Sequence, residues 1–174
     1  MDIRTFFSFH VAEAVGNALL THLKALPLKL YSSENLHVTL RFIGDTSESD
    51  LQTLFQIGEK IAKIHATISM QPLQFGIADG RGRLFVDGGD MLRSLNQMLV
   101  SELNAVRIGK PDNRPYTPHI TLGRVQNSFD IKLFPPVSDT YGFSMDSFGL
   151  YKSEQGKDNM GVYTLLKEFK LIGK

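Results

Sequence analysis

His37-Val-Thr-Leu-Arg-Phe-Ile43 and His119-Ile-Thr-Leu-Gly-Arg-Val125 are two strand-like heptads with one shared pattern. Each opens on His, a β-branched residue, Thr and Leu, and each closes on a β-branched residue. In a strand, side chains at i and i+2 leave the same face. His37 and Thr39 therefore project together, as do His119 and Thr121. Val38, Leu40, Ile120 and Leu122 turn the other way, toward a core. A third copy of the short pattern, His65-Ala-Thr-Ile68, lacks the Leu-x-x-Val/Ile extension and straddles a helix end. It reads as a helix-end histidine.

The segments around the two heptads repeat as well. Residues 3–10 are β-prone. Residues 12–26 place Val15, Leu19, Leu20, Leu23 and Leu26 on one helical stripe, which Pro27 stops. Residues 36–43 form a strand, and Ser47 or Ser49 caps a helix over 50–64 with Leu51, Leu54, Phe55, Ile57 and Ile61 inward. Strands over 67–78 and 83–87 flank the turn at 79–82. A helix over 90–106 follows, with Leu92, Leu95, Leu99, Leu103 and Val106 inward. The three prolines in 110–118 require a loop, residues 119–125 are a strand, and further strands lie near 142–151 and 160–170. Strand–helix–strand thus occurs twice, each time ending on His-x-Thr-Leu. This predicts an internal duplication within one domain spanning 1–174: an α+β fold of two pseudo-twofold lobes, with antiparallel sheets facing a central groove and helices outside.

Composition narrows the functional classes. The 174 residues carry 19 Lys+Arg against 18 Asp+Glu, a net charge of +1. That balance excludes a surface built for wrapping nucleic acid but allows a local basic site. With no cysteine, disulfides, thiol catalysis and cysteine zinc sites are excluded. His10 and Glu13 interrupt the apolar start, so it is not a signal peptide, and no run reaches the ~18 apolar residues of a membrane span. The expectation is a cytoplasmic monomer with no obligate protein partner.

If the lobes meet about a pseudo-twofold axis, two imidazoles and two hydroxyls converge on one small volume. Such a volume suits a tetrahedral oxyanion such as phosphate. A neutral His can take a proton from water while a protonated His donates one to the leaving oxygen. An unperturbed imidazole pKa of about 6.5 makes both forms accessible near neutrality. The threonine hydroxyls can donate to non-bridging oxygens, where charge builds in the transition state. No metal and no other cofactor is required.

In these two motifs, 82 residues apart, and in the flanking FIGD and Pro118, the chain resembles the 2H phosphoesterase superfamily. Within it, the chain is similar to the bacterial RNA 2′,3′-cyclic phosphodiesterases, also called 2′-5′ RNA ligases. The resemblance implies hydrolysis of a terminal 2′,3′-cyclic phosphate on RNA, or on a small cyclic nucleotide, to a 2′-phosphate. It implies His37 as proton donor to O3′ and His119 as the acceptor that activates water, although the near-symmetry leaves that assignment open to the sequence. It also implies an ATP-independent 2′-5′ joining of RNA ends when a 5′-hydroxyl replaces water. Two other readings keep the fold. One is a module that binds a nucleotide or RNA end without turnover, and the other is a phosphodiesterase acting on another cyclic or 2′-5′ phosphodiester.

Arg124 and Phe42 are the candidate substrate-binding residues. Arg124 pairs with phosphate oxygens if Gly123 relaxes the strand, because plain alternation puts it opposite to His119; otherwise it is a solvated arginine. Arg41 shares the parity of His37 but lies four residues along. Phe42 stacks on a nucleobase or packs in a core. Tyr116 reads as an exposed loop tyrosine, His10 as a satisfied structural histidine, and His22 as a residue at solvent or a lobe edge. Asp87 and Asp90 suit turn and helix-cap roles.

Overall fold

The computed structural model describes residues 2–111, 114–126, 129–156 and 161–173. Nine strands and three α-helices follow in the order β1 (Ile3–His10), α1 (Glu13–Leu23), β2 (Leu28–Leu30), β3 (His37–Thr46), α2 (Glu48–Ala62), β4 (Ile68–Ala78), β5 (Arg81–Asp87), α3 (Gly89–Ala105), β6 (His119–Val125), β7 (Phe143–Met145), β8 (Ser147–Gln155) and β9 (Gly161–Lys170). Met160, which opens the expected last strand, and residues 112 and 113 of the proline-rich loop lie outside the described residues.

The strands form one sheet in the order β7-β4-β5-β6-β3-β1-β8-β9, with β2 paired to β6. The duplication is visible in that order. The unit β1–α1–β3 lies on one side of the β3/β6 joint, and β5–α3–β6 lies on the other. The two expected half-sheets are not separate layers. They meet edge to edge through the antiparallel pair Val38↔Ile120 and form one curled sheet, whose inner face is the groove. Strand β2 was not expected. It is only three residues long, and its partner β6 lies far along the chain.

One face of this sheet is packed and the other is open. Val38, Ile120 and Leu122 are fully buried and Leu40 nearly so, in one cluster with Phe7, Phe9 and the inward residues of the helices. The helical stripes account for that packing: Leu54 and Ile61 of α2 and Leu92, Leu95, Leu99 and Leu103 of α3 lie inside. Val106 does not. It follows the last turn of α3 and is exposed. The Ser47 hydroxyl accepts from the Asp50 N–H at 3.2 Å and starts α2. The helices α2 and α3 pack on each other; α2 also covers β8 and β9, and α3 covers β3 and β4.

Candidate active site

His37 and Thr39 occupy the open face beside the joint, as do His119 and Thr121, and all four are half-buried. Counting outward from Val38↔Ile120 sets His37 across from Thr121 and Thr39 across from His119. Directly opposed side chains in an antiparallel pair start about 4.5–5.5 Å apart at Cβ, and diagonal ones about 7–8 Å apart. The two imidazoles thus stand on a diagonal, each facing the hydroxyl of the other arm. The two motifs are brought together on one face.

The two arms also fix their rings identically. His37 Nδ1 lies 2.8 Å from the carbonyl oxygen of Asn35, two residues back. His119 Nδ1 lies 2.8 Å from the carbonyl oxygen of Thr117, again two residues back. A carbonyl only accepts, so each Nδ1 carries the proton and donates. Each Nε2 is left for chemistry on the open face. Burial lowers both imidazole pKa values from the ordinary 6.5. The charge of His119, and that of His10 opposite in the β1–β3 register, lowers His37 further. The Arg83 cation acts the same way on His119.

Paired bulges explain the next residues. Between Ser8↔Thr39 and Phe6↔Phe42, β3 uses three steps against two in β1, and Leu40 is the extra residue. Between Arg83↔Thr121 and Arg81↔Arg124, β6 uses three steps against two in β5, and Leu122 is the extra residue. A bulge of one residue reverses the alternation beyond it. Phe42 is therefore returned to the face of Thr39, and Arg124 to the face of Thr121. The parity objection to Arg124 falls for this reason. Gly123 has its own part in this: a Cβ there would lie 2.4 Å from the Lys29 carbonyl, so only glycine lets β2 approach. The carbonyl of each bulged leucine is still satisfied. Leu40 O accepts from Asn96 Nδ2 at 2.7 Å, and Leu122 O from the Tyr31 N–H at 2.9 Å.

The sequence did not point to several neighbours of the motifs. Arg83 is the cross-strand partner of Thr121 and pairs with Asp79 at 2.9 Å. Ser8 is the partner of Thr39. Among the described residues, the buried side-chain atoms without a partner are Ser8 Oγ and Arg83 Nε, one beside each motif threonine. Phe6 and Tyr163 pack on the His37 ring at 5.3 and 4.9 Å. Tyr116 is not an exposed loop residue. It is half-buried and donates from Oη to the Thr39 carbonyl at 3.2 Å. Arg41 donates to the Lys110 carbonyl at 2.9 Å. His10 ends β1 exposed.

The remaining candidates are structural. His65 is buried, with Nδ1 donating to Ile61 O and Nε2 3.3 Å from Ser94 Oγ. His22 does not simply face solvent, because its Nδ1 lies 2.6 Å from Tyr141 Oη. Asp87 accepts from the Gly89 N–H at the start of α3, and Asp90 pairs with Arg93.

Two imidazoles with free Nε2 atoms, two hydroxyls and cations on one side define a groove suited to acid–base chemistry on a phosphate ester. The model of the 2′-5′ RNA ligase superfamily matches residues 11–157, and the chain belongs to that superfamily. It is similar to the RNA 2′,3′-cyclic phosphodiesterase of Thermus thermophilus, with 29% identity covering 99% of this chain and 92% of the relative. It is also similar to the RNA 2′,3′-cyclic phosphodiesterase of Escherichia coli, with 25% identity covering 97% and 96%. A crystal structure of a Thermus thermophilus protein superposes with a TM-score of 0.82 at 26% identity, covering 99% of this chain and all of that one.

Proposed function

We propose that this protein hydrolyses the terminal 2′,3′-cyclic phosphate of RNA to a 2′-phosphate, with His37 and His119 as the acid–base pair. The observation that carries the reading is the matched anchoring of the rings. Both Nδ1 atoms are held by carbonyls two residues back, so both Nε2 atoms serve one volume bordered by Thr39 and Thr121. The curated relatives in the same family are RNA 2′,3′-cyclic phosphodiesterases.

The reaction begins with His119 neutral and His37 protonated. Water attacks phosphorus in line with O3′. His119 Nε2 takes the water proton as the new P–O bond forms. The P–O3′ bond breaks, and His37 Nε2–H gives its proton to O3′. The product is a 2′-phosphomonoester with a free 3′-hydroxyl, and solvent exchange resets both rings. Each positioned transfer contributes about 10²–10⁴ in rate. Thr39, Thr121 and Arg124 stabilise charge on the non-bridging oxygens. The family resemblance supplies the assignment of His37 as acid and His119 as base, since burial disfavours the charge on both rings. An entering phosphate anion favours the charge on His37 that burial disfavours.

Product analysis on an RNA ending in 2′,3′-cyclic phosphate tests this reading. The expected product is the 2′-monophosphate, formed also in the presence of EDTA. A 3′-monophosphate would reverse the leaving oxygen. Tight binding of a nucleoside monophosphate without any product would establish a binding module instead.

A further inference from the structure

The open face carries a second recess beyond Phe42, at the end of β1 and β3 away from His37. Its volume is about 410 Å³, within the range of small-ligand sites. Arg4, Lys110 and Arg114 line it together with Phe42, Pro111 and Asp45, so among the described residues three cations face one carboxylate. The reaction described above makes no use of them.

The wall of this recess is fastened to the motif strand. Arg41 holds the Lys110 carbonyl. Gly109 turns the chain at φ +82°, a conformation L side chains rarely adopt, and lies in contact with Ile43. Tyr116 ties the end of the loop to Thr39. Gly109, Lys110 and Tyr116 are therefore held against β3. Phe42 is 47% exposed, and the Arg4 guanidinium stands 5.2 Å from its ring centre. An exposed ring flanked by cations is how proteins hold single-stranded nucleic acid: bases stack and phosphates are neutralised.

Nucleotide stereochemistry then sets a direction. In a ribonucleotide the base and the 5′-CH2–O group leave the same face of the ribose, while the 2′ and 3′ oxygens leave the other. A terminal nucleotide with its cyclic phosphate between His37 and His119 sends both base and 5′-oxygen away from the histidines. With its base on Phe42, its 5′-oxygen enters the recess.

We propose that the recess of Arg4, Lys110 and Arg114 binds the phosphodiester on the 5′ side of the terminal nucleotide, so that the protein prefers a polynucleotide end to a mononucleotide. The inference rests on the cyclic phosphodiesterase reading and adds a strand direction to it. The opposite end of the groove also carries cations, with Lys29 and Arg81 flanking Arg124 in register. That end lies away from Phe42, with Tyr31 and Tyr163 near Arg81, so the variant at Lys29 tests it separately.

The test compares a 2′,3′-cyclic mononucleotide with a dinucleotide ending in 2′,3′-cyclic phosphate. The wild-type protein should show an about tenfold lower KM for the dinucleotide, one good charge contact being of that order. The dependence of log KM on log salt should be steeper for the dinucleotide by about 0.7, the value for one phosphate on a single strand. The double variant Lys110→Ser/Arg114→Ser should lose the preference and keep wild-type kinetics on the mononucleotide, which also shows that it folds. Lys29→Ser should retain the preference. Equal KM values in the wild-type protein would overturn the inference, as would equal losses on both substrates in the double variant or loss of the preference in Lys29→Ser. No turnover of either substrate by the wild-type protein would instead overturn the phosphodiesterase reading itself.

Discussion

The two arms of the groove share their backbone and differ in their neighbours. Both present His-x-Thr, anchor Nδ1 on the carbonyl two residues back, and bulge at the leucine three residues after the histidine. The fifth residue after the histidine is Phe42 in one arm and Arg124 in the other. Across from the threonine stands Ser8 in one and Arg83 in the other. The first arm is lined with rings, with Phe6 and Tyr163 against His37. The second has the cations Arg83 and Arg124, with Phe85 across from His119 at 6.1 Å between rings. In the proposed function the duplicated parts set proton transfer, and the diverged fifth residues give the site a polarity: the Phe42 ring for a nucleobase, the Arg124 cation for a phosphate.

The largest effects break the shared parts. Ala in place of either His37 or His119 should lower turnover of a 2′,3′-cyclic nucleotide by about 10²–10⁴, with circular dichroism unchanged. Comparable losses in both would show that the arms contribute as equals. Next, Thr39→Val and Thr121→Val should each lower kcat by about 10², the size of a lost oxyanion donor, with KM moved little. Steady-state kinetics separate the two parameters.

The diverged residues should act on binding, and differently. Phe42→Ala removes a stacking surface of about 1–3 kcal/mol. It should raise KM for nucleotides while sparing the affinity for inorganic phosphate. Arg124→Ala should weaken inorganic phosphate as well, since a charge-assisted bond contributes about 1.5–3 kcal/mol. Equal effects of the two variants on phosphate affinity would remove the polarity assigned to the groove.

How much of this was legible depended on distance along the chain. The i, i+2 projection of His and Thr follows from strand geometry, and the duplicated order follows from two copies of one local pattern. Helical stripes around Leu54 or Leu95 are equally local. The orientation of Arg124 was not legible, because it depends on a bulge at Leu122 that appears only against β5. Asn96 reads as an ordinary helix residue until the Leu40 carbonyl, 56 residues away, needs a donor. Tyr116 finds its partner 77 residues away. Arg83 becomes a site residue only because the sheet sets it beside Thr121. Plain alternation failed where the strands depart from it, and those departures flank the candidate site on both arms.

Smaller effects sharpen the same point. Asn96→Ala strands the buried Leu40 carbonyl and should cost about 1–3 kcal/mol of stability, read by denaturant midpoint. It should also lower activity through the first arm, as a positioning residue acting on β3. The mildest effect comes from pH. Both imidazoles have pKa values lowered by burial, so the folded state binds protons more weakly than the unfolded chain. The stability they contribute is full above about 6.5 and is lost as pH falls through 6.5 and then through the folded values. The thermal midpoint should drop over that window, and His37→Gln/His119→Gln should flatten the drop.

The central claim is that both histidines serve a single phosphate. Turnover of a 2′,3′-cyclic nucleotide by His37→Ala, His119→Ala and the double variant tests it most directly. Residues that act as one unit are strongly non-additive, so the double variant should be about as slow as the slower single one. If the two losses instead multiply, each imidazole works independently, and the shared site is refuted.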